Sequence, residues 1–173
     1  YGGKVWGICG GYQMLGKNIS DPIGLEGKSG TSTGLNYLPI NTTLTANKTL
    51  TNVSGKLSLN DNTANISGYE IHAGQSQLSS TEAENKTVQS IIKIDGKAFG
   101  LVTEDGQIAG SYIHGLFDQG EALQLIVKWC GATISSSISH QQQENIALDK
   151  LANACQEHLD LEKLNQILTT WRN

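Results

Sequence analysis

The sequence predicts an α/β domain, a mixed β-sheet with flanking helices. Three observations carry that prediction. Val5 to Ile8 is a short β-branched and apolar run that ends at Cys9, and Gly10, Gly11 and the helix-compatible Tyr12-Gln-Met-Leu15 follow at once. Asp95-Gly96 and Asp105-Gly106 each separate apolar runs, the strongest short-range hairpin signal in the chain. From Gln119 onward, apolar residues recur three and four apart, the period of a helix with one buried face.

The first stretch is also where chemistry points. Strand, cysteine, two glycines and helix make up a nucleophile elbow, a sharp turn that needs small residues around it. The turn lifts a thiol into the open at the carboxyl end of a strand. It also aims the first helix amides, which have no intrahelical partner, at whatever the thiol attacks. Such amides favour a thiolate and can bind an oxyanion. The competing reading is a buried structural cysteine beside a Gly-rich turn, because free cysteine is among the most buried residue types.

Size and charge narrow the function classes. The 173 residues suffice for one domain with a real core. A hydrophobic share of 38% and a charged share of 16% describe a polar globular chain. Its net charge of −4 leaves no basic footprint, so neither nucleic acid nor an anionic membrane is expected as a partner. No apolar run approaches the ~20 residues of a membrane-spanning helix. Cys9, Cys130 and Cys155 form no C-x-x-C pair, which argues against a zinc site or a disulfide framework and for a reducing, cytoplasmic setting. Six N-x-[ST] sequons, at Asn18, Asn41, Asn47, Asn52, Asn65 and Asn85, are the chance product of a chain rich in Asn, Ser and Thr.

In order, the elbow helix leads into turn chemistry at Asp21-Pro-Ile-Gly-Leu-Glu-Gly27 and a polar loop over 28–33. Strands are expected around Thr42–Thr45, over Asn52–Leu59 with a bulge at Gly55, and over Ile66–Ile71 after a turn at Asp61-Asn62. A charged loop covers 81–87. Val88–Ile94, Ala98–Val102 and Gln107–Ile113 read as further strands, and the short connections imply antiparallel pairing. The helix from Gln119 places Leu123, Ile126, Val127 and Cys130 on one face and closes at Gly131. After a Ser/Gln-rich stretch come two amphipathic helices, the second capped by Asp160, read as a structural cap, with Cys130 and Cys155 as core residues.

A thiol nucleophile needs a base. His140 and His158 read as solvent-facing. His114 ends a strand in Gly110-Ser-Tyr-Ile-His114, where an imidazole can reach an elbow, and His72 lies near another strand end in Gly68-Tyr-Glu-Ile-His72-Ala-Gly74. Site-reading logic favours His114.

Gly7-Ile-Cys9-Gly-Gly11-Tyr-Gln13 resembles the nucleophile motif of class I (triad-type) glutamine amidotransferases. The ordered set that follows is Asp21-Pro-x-Gly24-x-Glu26-Gly27, Gly34-Leu-x-x-Leu-Pro39, Gly68-Tyr-Glu-Ile-His72-x-Gly74 and Gly110-x-Tyr-x-His114-Gly-Leu-Phe-Asp118. Together the five motifs resemble the carboxy-terminal glutaminase domain of the cobyric acid synthase family, over residues 4 to about 130. The resemblance implies a class I glutamine amidotransferase-like, flavodoxin-like mixed sheet. It makes Cys9 and His114 the catalytic pair and assigns glutamine binding to Gly10, Gly11 and Gln13. Glu70 and His72 are supporting candidates. Most class I enzymes carry a Glu two residues after the histidine. Here Leu116 stands there, so the group that orients the imidazole is open between Glu70, Asp118 and a bare Cys–His dyad.

The resemblance also implies a role: hydrolysing glutamine to supply ammonia to an upstream synthetase domain of the same polypeptide. That domain would use ATP and Mg to amidate corrinoid carboxylates, with the corrinoid bound mainly outside this chain. No cofactor is expected in this domain, and no phosphate-cradling loop is present. The expected organisation is a glutaminase domain over 1–132, missing its amino-terminal strands, a polar linker over 133–143 and a helical extension over 144–173. The alternatives are a glutaminase of another amidating synthetase, a thiol hydrolase of another substrate, and a catalytically inactive interaction domain.

Overall fold

The structure is a computed structural model that describes residues 2–79, 88–118, 120–134 and 140–171. The expected loop at 81–87, the helix start at Gln119 and the middle of the expected linker lie outside these residues. The chain divides into two compact units, Tyr1–Ser135 and Ser136–Asn173.

Among the described residues the first unit holds nine strands and two helices: β1 (Val5–Ile8), α1 (Gly10–Leu15), β2 (Asn18–Asp21), β3 (Gly30–Thr33), β4 (Ile40–Leu59), β5 (Asn62–Leu78), β6 (Val88–Ile94), β7 (Lys97–Thr103), β8 (Ile108–Ser111), β9 (Ile113–His114) and α2 (Gly120–Trp129). They form one mixed sheet in the order β1-β8-β7-β6-β4-β2-β3, with β5 pairing both β4 and β9. β1–β8 and β2–β4 are parallel, and the remaining pairs are antiparallel. The mixed α/β architecture and the antiparallel middle are as expected from the sequence.

Alternation along the strands divides the core. Leu101 and Ile108 pack with Tyr12, Leu15, Leu38 and Ile40 around α1. Their neighbours Val102 and Ala109 pack with Ile92, Ile113, Leu116 and the α2 residues Ala122, Leu125, Ile126 and Trp129. The sheet is thus covered on one face by α1 and on the other by α2.

Several local expectations need correction. Residues 30–33, read as loop, form β3 against β2. The three strands expected between 42 and 71 are two long ones, β4 and β5, joined by a tight turn. That turn sits at Asn60-Asp61, one residue earlier than expected, where both residues have positive φ (46° and 60°). The bulge in this ribbon falls between Leu44 and Thr49, not at Gly55. Gly55 is small for a different reason: a Cβ there would run into the Lys93 carbonyl of β6. The single strand expected over 107–113 breaks at Tyr112 into β8 and β9.

On α2 the buried face is Ala122, Leu125, Ile126 and Trp129, rotated by about one residue from the expected one. Trp129 decides that rotation. It packs edge-on against Trp6 with centroids 5.8 Å apart, and Lys4 lies over its ring at 5.2 Å. Cys130 is consequently exposed, and Cys155 is only half-buried, so neither is the core residue the spacing suggested. Gly131 ends the helix with φ 82°, as expected.

The second unit holds α3 (His140–His158) and α4 (Leu161–Trp171), so the helix begins inside the stretch read as linker. Asp160 caps α4 by accepting the Lys163 N–H at 2.9 Å. Among the described residues no helix is long and apolar enough to cross a membrane.

Candidate active site

β1 delivers Cys9 to the carboxyl end of a parallel strand pair. Ile8 stands opposite Ser111 of β8, and the Cys9 N–H donates to the Ser111 carbonyl at 2.9 Å. Cys9 itself is bent to φ 53°, ψ −113°, a backbone conformation that costs a non-glycine residue of order 1–3 kcal/mol. That strain is the physical signature of an elbow. The turn is tight where the sequence put its glycines, but not at all of them. A Cβ on Gly7 would meet Leu15 Cδ1 at 2.6 Å and the Gly11 carbonyl at 2.8 Å, so Gly7 is demanded by packing. Gly10 and Gly11 face open space, so their smallness leaves the backbone approachable instead of relieving a clash. The first helical hydrogen bond runs from Gln13 N–H to the Cys9 carbonyl at 3.1 Å, leaving the amides of Gly10, Gly11 and Tyr12 ahead of the ladder.

One segment of β5 gathers the other expected residues. The Cys9 thiol donates to the Ile71 carbonyl at 3.4 Å. Two residues before it, Tyr69 stands opposite His114 in the β5–β9 register, and Glu70 opposite Ile113. His114 thus comes to the same short segment of β5 as the thiol. Its Nε2 is buried and has no hydrogen-bond partner, so thiol and imidazole are not hydrogen-bonded to each other. The His114 ring stacks on Tyr69, with centroids 5.1 Å apart and planes 8° from parallel.

His72 is held differently. Its Nδ1–H donates to the Gly74 carbonyl at 2.7 Å, and its Nε2 lies 3.8 Å from Glu70 Oε1. Its ring lies on Tyr112 at 3.8 Å between centroids. Of the three candidates for the orienting group, Glu70 is therefore engaged with His72. Leu116, at the position of the usual Glu, is fully buried against α2. The Asp118 N–H donates to the Gly115 carbonyl at 3.2 Å, which turns the chain back beside His114. Among the described residues no carboxylate forms an ion pair with His114.

Gln13 is buried, and its Nε2 donates to the Tyr112 hydroxyl at 3.2 Å. The chain of hydroxyls continues from Tyr112 to Ser76 at 2.6 Å and from Ser76 to Thr42 at 2.6 Å. Gly74 makes room for this arrangement, since a Cβ there would run into Gln13 Nε2. Beneath it, Tyr12 meets Tyr112 edge-on at 5.3 Å, and burial with the neighbouring Tyr112 pushes the Tyr12 phenol well above its ordinary pKa. Beside these groups opens a cavity of about 350 Å³ lined by Glu70, His72, Ser76, Tyr112 and Thr49 among others. The sequence reading did not single out Tyr69, Tyr112, Ser76 or Thr42. Both tyrosines stood inside quoted motifs, but cross-strand register, which gives them their partners, has no local sequence signal.

Residues 1–122 match the CobB/CobQ-like glutamine amidotransferase domain family. The chain is 48% identical to a cobyric acid synthase of Vibrio vulnificus over 164 residues, which are 95% of this chain and 33% of that protein. It is 47% identical to a cobyric acid synthase of Shewanella oneidensis over 178 residues, 98% of this chain and 35% of the relative. A cobyric acid synthase of Vibrio campbellii is 44% identical over 163 residues. The chain therefore spans about a third of the length of these relatives.

Proposed function

The chain belongs to the CobB/CobQ-like glutamine amidotransferase domain family, and from that membership we propose that it is the glutamine-hydrolysing part of a cobyric acid synthase. The observation that carries the site assignment is the strained Cys9 at a strand end, with its thiol on the β5 segment that also receives His114. In this reading glutamine enters with its side-chain amide over Cys9. His114 Nε2 takes the thiol proton, and the sulfur attacks the amide carbon. The resulting oxyanion faces the Gly10 N–H, with a second donor from elsewhere. His114 returns the proton to nitrogen, the C–N bond breaks, and ammonia leaves a glutamyl thioester. Water then attacks the thioester with His114 again as base, and glutamate departs. The thiol must leave the Ile71 carbonyl for this, since the structure shows it there and not on the imidazole.

Gln13, fixed by Tyr112, helps hold the glutamine. Ammonia passes to the rest of the polypeptide, where ATP and Mg activate corrinoid carboxylates for amidation. No residue of this chain is assigned to ATP, Mg or the corrinoid, and the setting is the cytoplasm. The test incubates the full-length polypeptide with glutamine, ATP, Mg and a corrinoid diamide, then weighs the product. Stepwise gain of amide groups that depends on glutamine supports the reading. Amidation from ammonium salt only would leave this part as an inactive interaction domain.

A further inference from the structure

We infer that Tyr69 is the positioning residue that orients the His114 imidazole in place of a carboxylate. The inference rests on the glutaminase reading and deepens it. A base that accepts a proton from a thiol needs its ring plane fixed, and in triads a carboxylate does this through one ring nitrogen. Here no carboxylate pairs with His114 among the described residues: Glu70 lies against His72, the position two after His114 is a buried leucine, and Asp118 forms no ion pair with the ring. What does hold the ring is an aromatic face. Tyr69 and His114 form a directly opposed cross-strand pair in β5 and β9, and their rings are nearly parallel at 5.1 Å. That spacing is an offset stack, the favourable arrangement for two aromatic rings.

Two details show that the stack does the holding. β9 is only two residues long, so backbone pairing alone fixes little of its side-chain geometry. Gly68, next to Tyr69, lets the β9 backbone close onto β5, because a Cβ there would strike the His114 carbonyl. Tyr69 itself is 42% exposed, so it does not serve as core filling. With one face covered by Tyr69, the imidazole presents its buried, unpartnered Nε2 edge-on. An aromatic face also stabilises an imidazolium, which is the form that follows proton transfer.

The test uses the full-length polypeptide and two substitutions. Tyr69→Thr removes the ring but keeps a strand-favouring, β-branched residue. It is expected to lower kcat for glutamine hydrolysis about 10-fold with KM within about 2-fold, while ammonium-dependent amidation is unchanged. Tyr69→Phe keeps the stack without the hydroxyl and is expected to stay within about 2-fold of the parent. A threonine variant as fast as the parent overturns the proposal, as does a phenylalanine variant as slow as threonine. If Tyr69→Thr also loses ammonium-dependent amidation, Tyr69→Leu takes its place under the same two criteria. A parent enzyme that hydrolyses no glutamine at all would refute the glutaminase reading itself, an outcome separate from any ranking of the variants.

Discussion

His72 lies on β5, His114 comes to the same stretch of that strand from β9, and the two are held in opposite ways. His72 has both nitrogens facing partners, the Gly74 carbonyl and the Glu70 carboxylate, and its ring lies on Tyr112. His114 has a buried Nε2 with no partner and a single stacking neighbour. A buried polar atom without a partner costs of order 1–3 kcal/mol, and among the described residues the Trp6 and Trp129 indole nitrogens share that state with His114 Nε2. The contrast separates a ring whose two nitrogens both face partners from one whose Nε2 faces none, and position at a strand end does not reveal that difference.

The contrast breaks most completely if the thiol is not the nucleophile. Cys9→Ser in the full-length polypeptide is expected to abolish glutamine-dependent amidation and leave ammonium-dependent amidation intact. The measurement is product formation with each nitrogen source. Loss of both activities would give Cys9 a folding role, which its strained φ makes a real alternative.

The next largest effect tests the histidines against each other. His114→Ala is expected to lower glutamine hydrolysis at least ~100-fold, the scale of general-base removal. His72→Ala is expected to lose less than ~10-fold, or to uncouple glutamate release from amidation, since it removes a support of Tyr112 and leaves His114 in place. Steady-state glutamate release from the two variants decides, and the reverse ranking would show that the free nitrogen of His114 is not the working one.

The elbow was legible because its cause is local. A strand, a cysteine and a glycine four and eight positions before the helix residues that would otherwise collide with it are all within a dozen residues, and Gly7 proves to be a packing requirement. The hairpin at Asp95-Gly96 was legible for the same reason: both residues adopt the positive φ that such a turn demands, 48° and 77°. The β4–β5 ribbon was misread because its strands are polar along much of their length, so hydrophobic alternation lapses where pairing continues. The α2 face was misread because spacing cannot tell that Trp129, and not Cys130, finds Trp6. In the candidate site, Cys9, Gln13, His72 and His114 stand out by residue type. Tyr69, Tyr112 and Ser76 did not, since each matters through a partner on another strand.

Tyr112 yields the finest test of the comparison, because it touches the frame and the site at once. Its ring supports His72 and its hydroxyl accepts the Gln13 Nε2–H at 3.2 Å. The hydroxyl can pass its own proton to Ser76 at 2.6 Å, which in turn meets Thr42. Tyr112→Phe keeps the ring contacts with His72 and Tyr12 and removes only the hydroxyl. Gln13 is buried, so its amide is left with an unsatisfied donor and loses its fixed orientation, a change worth of order 1 kcal/mol. If Gln13 holds glutamine, that energy appears in binding. KM for glutamine is expected to rise roughly 3- to 10-fold, with kcat within about 2-fold and ammonium-dependent amidation unchanged. Ser76→Ala, one step further along the chain, is expected to move KM in the same direction by less. Initial rates over a glutamine series measure both. A Tyr112→Phe variant that lowers kcat and leaves KM alone would place Tyr112 with His114 in the chemical step instead of with Gln13 in binding, and the line drawn between frame and reacting groups would have to move.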